Sequence, residues 1–107
     1  MNIIEKARFR NDVIRRFLIT GQKRNVINLN AHNTFLHEFT KFKICFRLKR
    51  DNKEFITEAS LIGGGIADII VLDECKIIEV LVSETELKFK EKIKKYPTGL
   101  TVEYLRV

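Results

Sequence analysis

The 107 residues predict an α/β fold, with a mixed central sheet flanked by helices. Three observations lead there. The first 53 residues carry two apolar stripes at helical spacing. From Lys53 onward the pattern changes to short β-branched runs separated by glycine and acidic turns. A capped, lysine-rich segment and an alternating C-terminal stretch then complete the order α, α, β, β, β, α, β. The length fits one domain, divided into a basic helical part (1–53) and an αβ core (54–107).

Residues 3–18 read as the first helix. Ile3, Ile4, Ala7, Ile14, Phe17 and Leu18 share one side, and Arg8, Arg10, Arg15 and Arg16 fill the rest. Gly21 ends it, and 20–30 is polar, with Val26, Ile27 and Leu29 as a short extended candidate. A second helix begins near Asn33, a good N-cap. Phe35, Leu36, Phe39, Phe42 and Phe46 form its apolar face, about 120° wide, which is expected to pack on the sheet. Glu38 borders that face, and His37 lies opposite it, which predicts a surface position. Asp51-Asn52 marks the end of the helix.

Glu54–Ile62 reads as a strand with Phe55, Thr57 and Ala59 facing one way. Gly63-Gly64-Gly65 is a turn and not a phosphate loop, because no GK[ST] follows and a strand comes next. Ala67–Leu72 is a buried β-branched strand, and Asp73-Glu74 opens a hairpin turn to a third strand over Lys76–Ser83. Ser83 or Thr85 caps a helix that runs to about Tyr96, where Pro97-Thr98-Gly99 stops it. Leu100–Val107 alternates as a final strand.

Composition narrows the function classes. No apolar run approaches the roughly 20 residues of a membrane span. The charges scattered through MNIIEKARFRND do not make a signal peptide, so an intracellular, cytoplasmic protein is expected. Cys45 and Cys75 belong to no metal-binding spacing with each other or with His32 and His37, and read as reduced, packed thiols. The net charge of +6 is uneven: residues 1–53 hold 13 Lys/Arg against 4 Asp/Glu, and residues 54–107 hold 7 against 10. The basic half suits a polyanion, with solvated helix faces as the simpler alternative.

Two acids interrupt apolar strands: Asp68 opens ADIIVL, and Glu79 lies inside KIIEVLV. Burying a carboxylate costs several kcal/mol unless it is paired, hydrogen-bonded or bound to a cation. Two such acids on adjacent hairpin strands suggest a shared ligand; ordinary salt bridges are the alternative.

The stretch from Phe55 to Pro97 resembles the PD-(D/E)XK nuclease superfamily, the restriction-endonuclease-like and Holliday-junction-resolvase-like proteins. The resemblance is carried by Ala67-Asp68 on the second strand of a meander, Glu79-Val80-Leu81 on the third, and Lys92-Ile93-Lys94-Lys95-Tyr96 on the following helix. It covers about half the chain. It implies a restriction-endonuclease-like fold and metal-dependent phosphodiester hydrolysis on nucleic acid, DNA being favoured but RNA left open, with Mg²⁺ or Mn²⁺ held by Asp68, Glu79 and the Val80 carbonyl. Glu38 would be the helical acid of the family. Glu58 could complete the site or be an exposed strand acid. Leu81 stands where the family places its lysine, and leucine can neither orient water nor stabilise developing charge.

Members with a migrated lysine place it on the following helix, which nominates Lys92 first, about 40° round from Tyr96, and Lys88 second. Both could instead be solvated lysines. The nucleic-acid surface would comprise Arg8, Arg15, Arg16, Lys23, Arg24, Lys41, Arg47, Lys49 and Arg50, and small members of the family act as homodimers. The alternative function is a nuclease-fold protein that lost catalysis and binds nucleic acid or mediates assembly.

Overall fold

The computed structural model describes residues 1–107. Its elements are α1 (Ile3–Phe17), α2 (Phe35–Arg50), β1 (Phe55–Ser60), β2 (Ile66–Val71), β3 (Lys76–Leu81), α3 (Glu86–Ile93) and β4 (Thr101–Arg106). The strands form one mixed sheet in the order β1-β2-β3-β4, antiparallel except for the parallel β3–β4 pair joined through α3. This is the α/β architecture expected from the sequence. The 20–30 segment forms no strand. No helix is long and apolar enough to cross a membrane.

Each helix starts at a side-chain cap that satisfies an otherwise orphaned amide. Asn2 and Glu5 form a capping box on α1, Thr34 caps α2 in place of the expected Asn33, and Thr85 caps α3. Arg10 pins α1 to the β2–β3 turn: its guanidinium donates to Asp73 at 2.7 Å and lies 3.3 Å from Glu54.

The sheet is covered on both faces. On one, Val13 and Phe17 of α1 and Tyr96 after α3 pack on Ile56, Ile70 and Ile77. On the other, Cys45 and Leu48 of α2 pack on Phe55, Ile69 and Val71. Burial raises the Cys45 thiol to about 12, so it is an inert packing group.

Two expectations about facing are overturned. The first concerns α2, which is turned round. Phe35, Leu36, Phe39, Phe42 and Phe46 face solvent, while His37, Thr40, Lys41, Cys45 and Leu48 face the sheet. The helical period holds, but the inner face is chosen by polar partners: His37 and Lys41 both find carboxylates there. The second concerns β1. Phe55 joins the α2 side, but Ala59 and Leu61 join the α1 side. Glu58 is the cause. Its φ of +47° breaks the alternation and aims its carboxylate at α2.

Candidate active site

The β2–β3 ladder pairs Val71 with Lys76, Ile70 with Ile77 and Ile69 with Ile78, and then stops. The next positions in register are Asp68 and Glu79, so the two acids stand directly opposite each other. In such pairs Cβ atoms lie about 5 Å apart. Side chains replace the missing ladder bonds. The Val80 amide donates to Asp68 Oδ2 at 2.8 Å, and the Asp68 amide donates to Glu79 Oε2 at 3.4 Å. The strands therefore part at this point, and the opening is reached by α2 from one side and by α3 from the other.

From the α3 side, Lys92 Nζ lies 3.4 Å from Glu79 Oε2, and the Tyr96 hydroxyl donates to Glu79 Oε1 and lies 3.3 Å from the Ile66 carbonyl oxygen. Gly65 makes room for that tyrosine. It has a φ of +91°, and a Cβ there would come within 2.8 Å of Tyr96 Cε1. The triple-glycine turn thus has a positioning role. From the α2 side, His37 bridges two carboxylates, with Nδ1 2.7 Å from Glu38 Oε2 and Nε2 3.2 Å from Asp68 Oδ2.

Electrostatics follow from this packing. Burial first, and the Asp68 carboxylate beside it second, push the Glu79 carboxyl up to about 8, against the opposing pull of Lys92 and Tyr96. Burial works against the Lys92 ammonium, but Glu79 and Asp68 outweigh it and raise its pKa. Burial and Glu79 also raise the Tyr96 phenol, which keeps it a donor.

Of the residues nominated by sequence, Asp68, Glu79, Val80 and Lys92 come together. Lys88 is exposed and contacts neither acid. Glu58 and Glu38 do not join the pair. Both are bonded to Lys41, whose fully buried ammonium lies 2.7 Å from Glu38 Oε1, 3.0 Å from Glu58 Oε1 and 2.7 Å from the Asn28 carbonyl. Consistent with that diversion, no three His, Cys, Asp or Glu side chains converge as a metal-binding group.

Lys41 also corrects the proposed nucleic-acid surface, since a buried lysine presents no charge to a phosphate. The other eight of those residues, Arg8, Arg15, Arg16, Lys23, Arg24, Arg47, Lys49 and Arg50, are exposed. His37 corrects the surface position expected for it. Lys41, four residues on, and Glu38, three residues before Lys41, are the signal of a polar inner face.

Comparison with protein-family models, with curated proteins and with solved structures finds no match to this chain.

Proposed function

We propose that the protein is a metal-dependent nuclease of restriction-endonuclease-like fold, acting on DNA. The observation that carries the proposal is the buried Asp68–Glu79 pair at the point where β2 and β3 part, with the Lys92 ammonium beside it. A buried carboxylate pair is costly unless a proton or a cation is shared, and a site of this kind suits a small divalent ion. Mg²⁺ takes one or two carboxylates and keeps several waters, so Asp68 and Glu79 would suffice without Glu38 and Glu58, the ion replacing the contact of Lys92 or Tyr96 at one Glu79 oxygen. The bound ion would supply charge neutralisation at the scissile phosphate and a more acidic water.

The chain's own residues supply the rest. Val80 holds Asp68 through its amide, and Tyr96 and Lys92 hold Glu79. Lys92 brings to Glu79 the ammonium group that Leu81, two residues along β3, cannot provide. From there it can orient the attacking water or stabilise charge developing on the phosphate. The exposed arginines and lysines of residues 1–53 would contact the DNA backbone.

Mg²⁺- or Mn²⁺-dependent cleavage of linear, branched or single-stranded DNA tests the reading. Asp68→Asn is expected to abolish it. Lys92→Ala is expected to reduce it by about 10²-fold or more, the scale of a lost charge-stabilising group, and to leave binding nearly intact. Lys88→Ala is expected to be neutral. Cleavage that survives Lys92→Ala unchanged would remove Lys92 from the mechanism. Absence of metal-dependent cleavage in the wild type would favour the binding-only alternative.

DNA affinity is also expected to fall steeply with salt, since each phosphate contact releases counterions. Gel-shift titrations at low and moderate ionic strength measure the slope. An affinity insensitive to salt would argue against the basic half as the binding surface.

A further inference from the structure

The inverted helix α2 leaves five large apolar side chains in solvent. Phe35 is 83% exposed, and Leu36, Phe39, Phe42 and Phe46 lie between 45% and 56%. The four phenylalanines recur at intervals of four, three and four residues. That is the a/d rhythm of a helix–helix seam, with Phe39 and Phe46 at a and Phe35 and Phe42 at d. Two pairs of rings already lie against one another along it, Phe35 with Phe39 and Phe42 with Phe46.

We propose that this face is the interface of a symmetric homodimer, in which α2 packs antiparallel against α2 of a second copy. The inference does not depend on the nuclease reading.

Three arguments select a second copy in this orientation. The first is register. In an antiparallel pair Phe39 meets the partner's Phe42, and Phe46 meets the partner's Phe35, so every aromatic knob finds an aromatic layer. A two-fold axis level with Thr40 and Lys41 produces both layers at once, so the face is complementary to itself.

The second is charge. The next d position is Lys49, flanked by Arg47 and Arg50 in the last turn. A parallel pair would set Lys49 against its own copy. The antiparallel pair places the two basic turns at opposite ends of a helix about 24 Å long, and it opposes the helix dipoles favourably. The Lys43 ammonium lies over the Phe39 ring, 5.2 Å from its centre, a cation–π contact at the edge of the strip.

The third is area. At about 200 Å² per phenylalanine, the exposed fractions amount to roughly 500 Å² per copy. A symmetric pair then buries roughly 1,000 Å², about the threshold for a specific interface.

Equilibrium sedimentation of the wild-type chain is expected to give twice the 12.6 kDa chain mass. The double variant Phe39→Asp with Phe42→Asp should be monomeric at the same concentration, its dissociation constant raised roughly 100-fold or more, as expected for loss of two central aromatic anchors. Its far-ultraviolet circular dichroism should match the wild type, because both side chains are exposed; Phe42→Ala, with a smaller weakening, covers the case in which the double variant is misfolded. Orientation is read by cross-linking. Phe35→Cys chains mixed with Phe46→Cys chains should form disulfide heterodimers, and neither alone should link.

A wild-type monomer at high micromolar concentration would overturn the proposal. So would a dimer unaffected by the aspartates, or self-linking of Phe35→Cys. A monomeric wild type in which the same aspartates abolish binding to single-stranded DNA would reassign the face to base stacking.

Discussion

Glu79→Gln is expected to stabilise the metal-free protein far more at pH 8.5 than at pH 5. The sign follows from the direction of the shift. The Glu79 carboxyl sits at about 8 in the folded chain against an ordinary value of 4.5, so the folded state favours its protonated form. Its contribution to stability is fully present below pH 4.5 and is lost progressively as pH rises through 8. At pH 8.5 the folded chain must hold an ionised, buried carboxylate beside Asp68, at a cost of several kcal/mol. Glutamine is neutral throughout and escapes that loss. It gives up part of the bonding to the Asp68 amide and Lys92 at every pH, so the informative quantity is the difference between the two pH values.

Urea unfolding of both proteins at pH 5 and pH 8.5, with chelator present, measures it. On the nuclease reading, Mn²⁺ should recover much of the wild-type deficit at pH 8.5, by mass action on the ionised pair. It should do little at pH 5, where Glu79 keeps its proton, and little for Glu79→Gln at either pH. A variant-to-wild-type difference independent of pH would show that Glu79 is not a buried acid that holds its proton.

The second large effect is expected at Lys41. Lys41→Ala removes a fully buried ammonium and strands the Glu38 and Glu58 carboxylates that it joins. Removing one partner of a buried ion pair costs about 3–5 kcal/mol, enough to unfold many small domains. Adding Glu38→Gln and Glu58→Gln to Lys41→Met should recover a large part of that loss, because the uncompensated charges go with it. The effect should also depend on pH. Burial pushes the Glu38 carboxyl up, but hydrogen bonds from Lys41, the Asn30 amide, His37 and Asn33 outweigh it and hold it at about 2. The wild-type network therefore contributes stability above pH 4.5 and loses it as pH falls towards 2. Denaturation of the single and triple variants is the measurement. A loss below about 1 kcal/mol for Lys41→Ala would place the triad in the class of hydrated surface pairs.

Most of the elements are legible in the sequence alone. Helical spacing marked α1 and α2, β-branched runs between turns marked β2 and β3, and Pro97-Thr98-Gly99 closed the segment that holds α3. Local caps and turns fix such boundaries, so they are legible in neighbouring residues. The sequence also singled out Asp68 and Glu79, because an acid inside an apolar strand is anomalous wherever the strand is placed, and helix phase alone ranked Lys92 above Lys88.

The tertiary structure decided what those marks could not. Periodicity says that a helix has two faces but not which one is covered, and in α2 the face with His37 and Lys41 turns inward because carboxylates from β1, β2 and α2 itself meet it there. Strand alternation assumes extended residues, and the left-handed Glu58 reverses it, sending that acid to Lys41 instead of to the Asp68–Glu79 pair. Both outcomes depend on contacts between residues more than 15 positions apart in the chain, between Lys41 and Glu58 and between His37 and Asp68. A buried charge is stable only where its counter-charge arrives, and the fold alone determines that meeting.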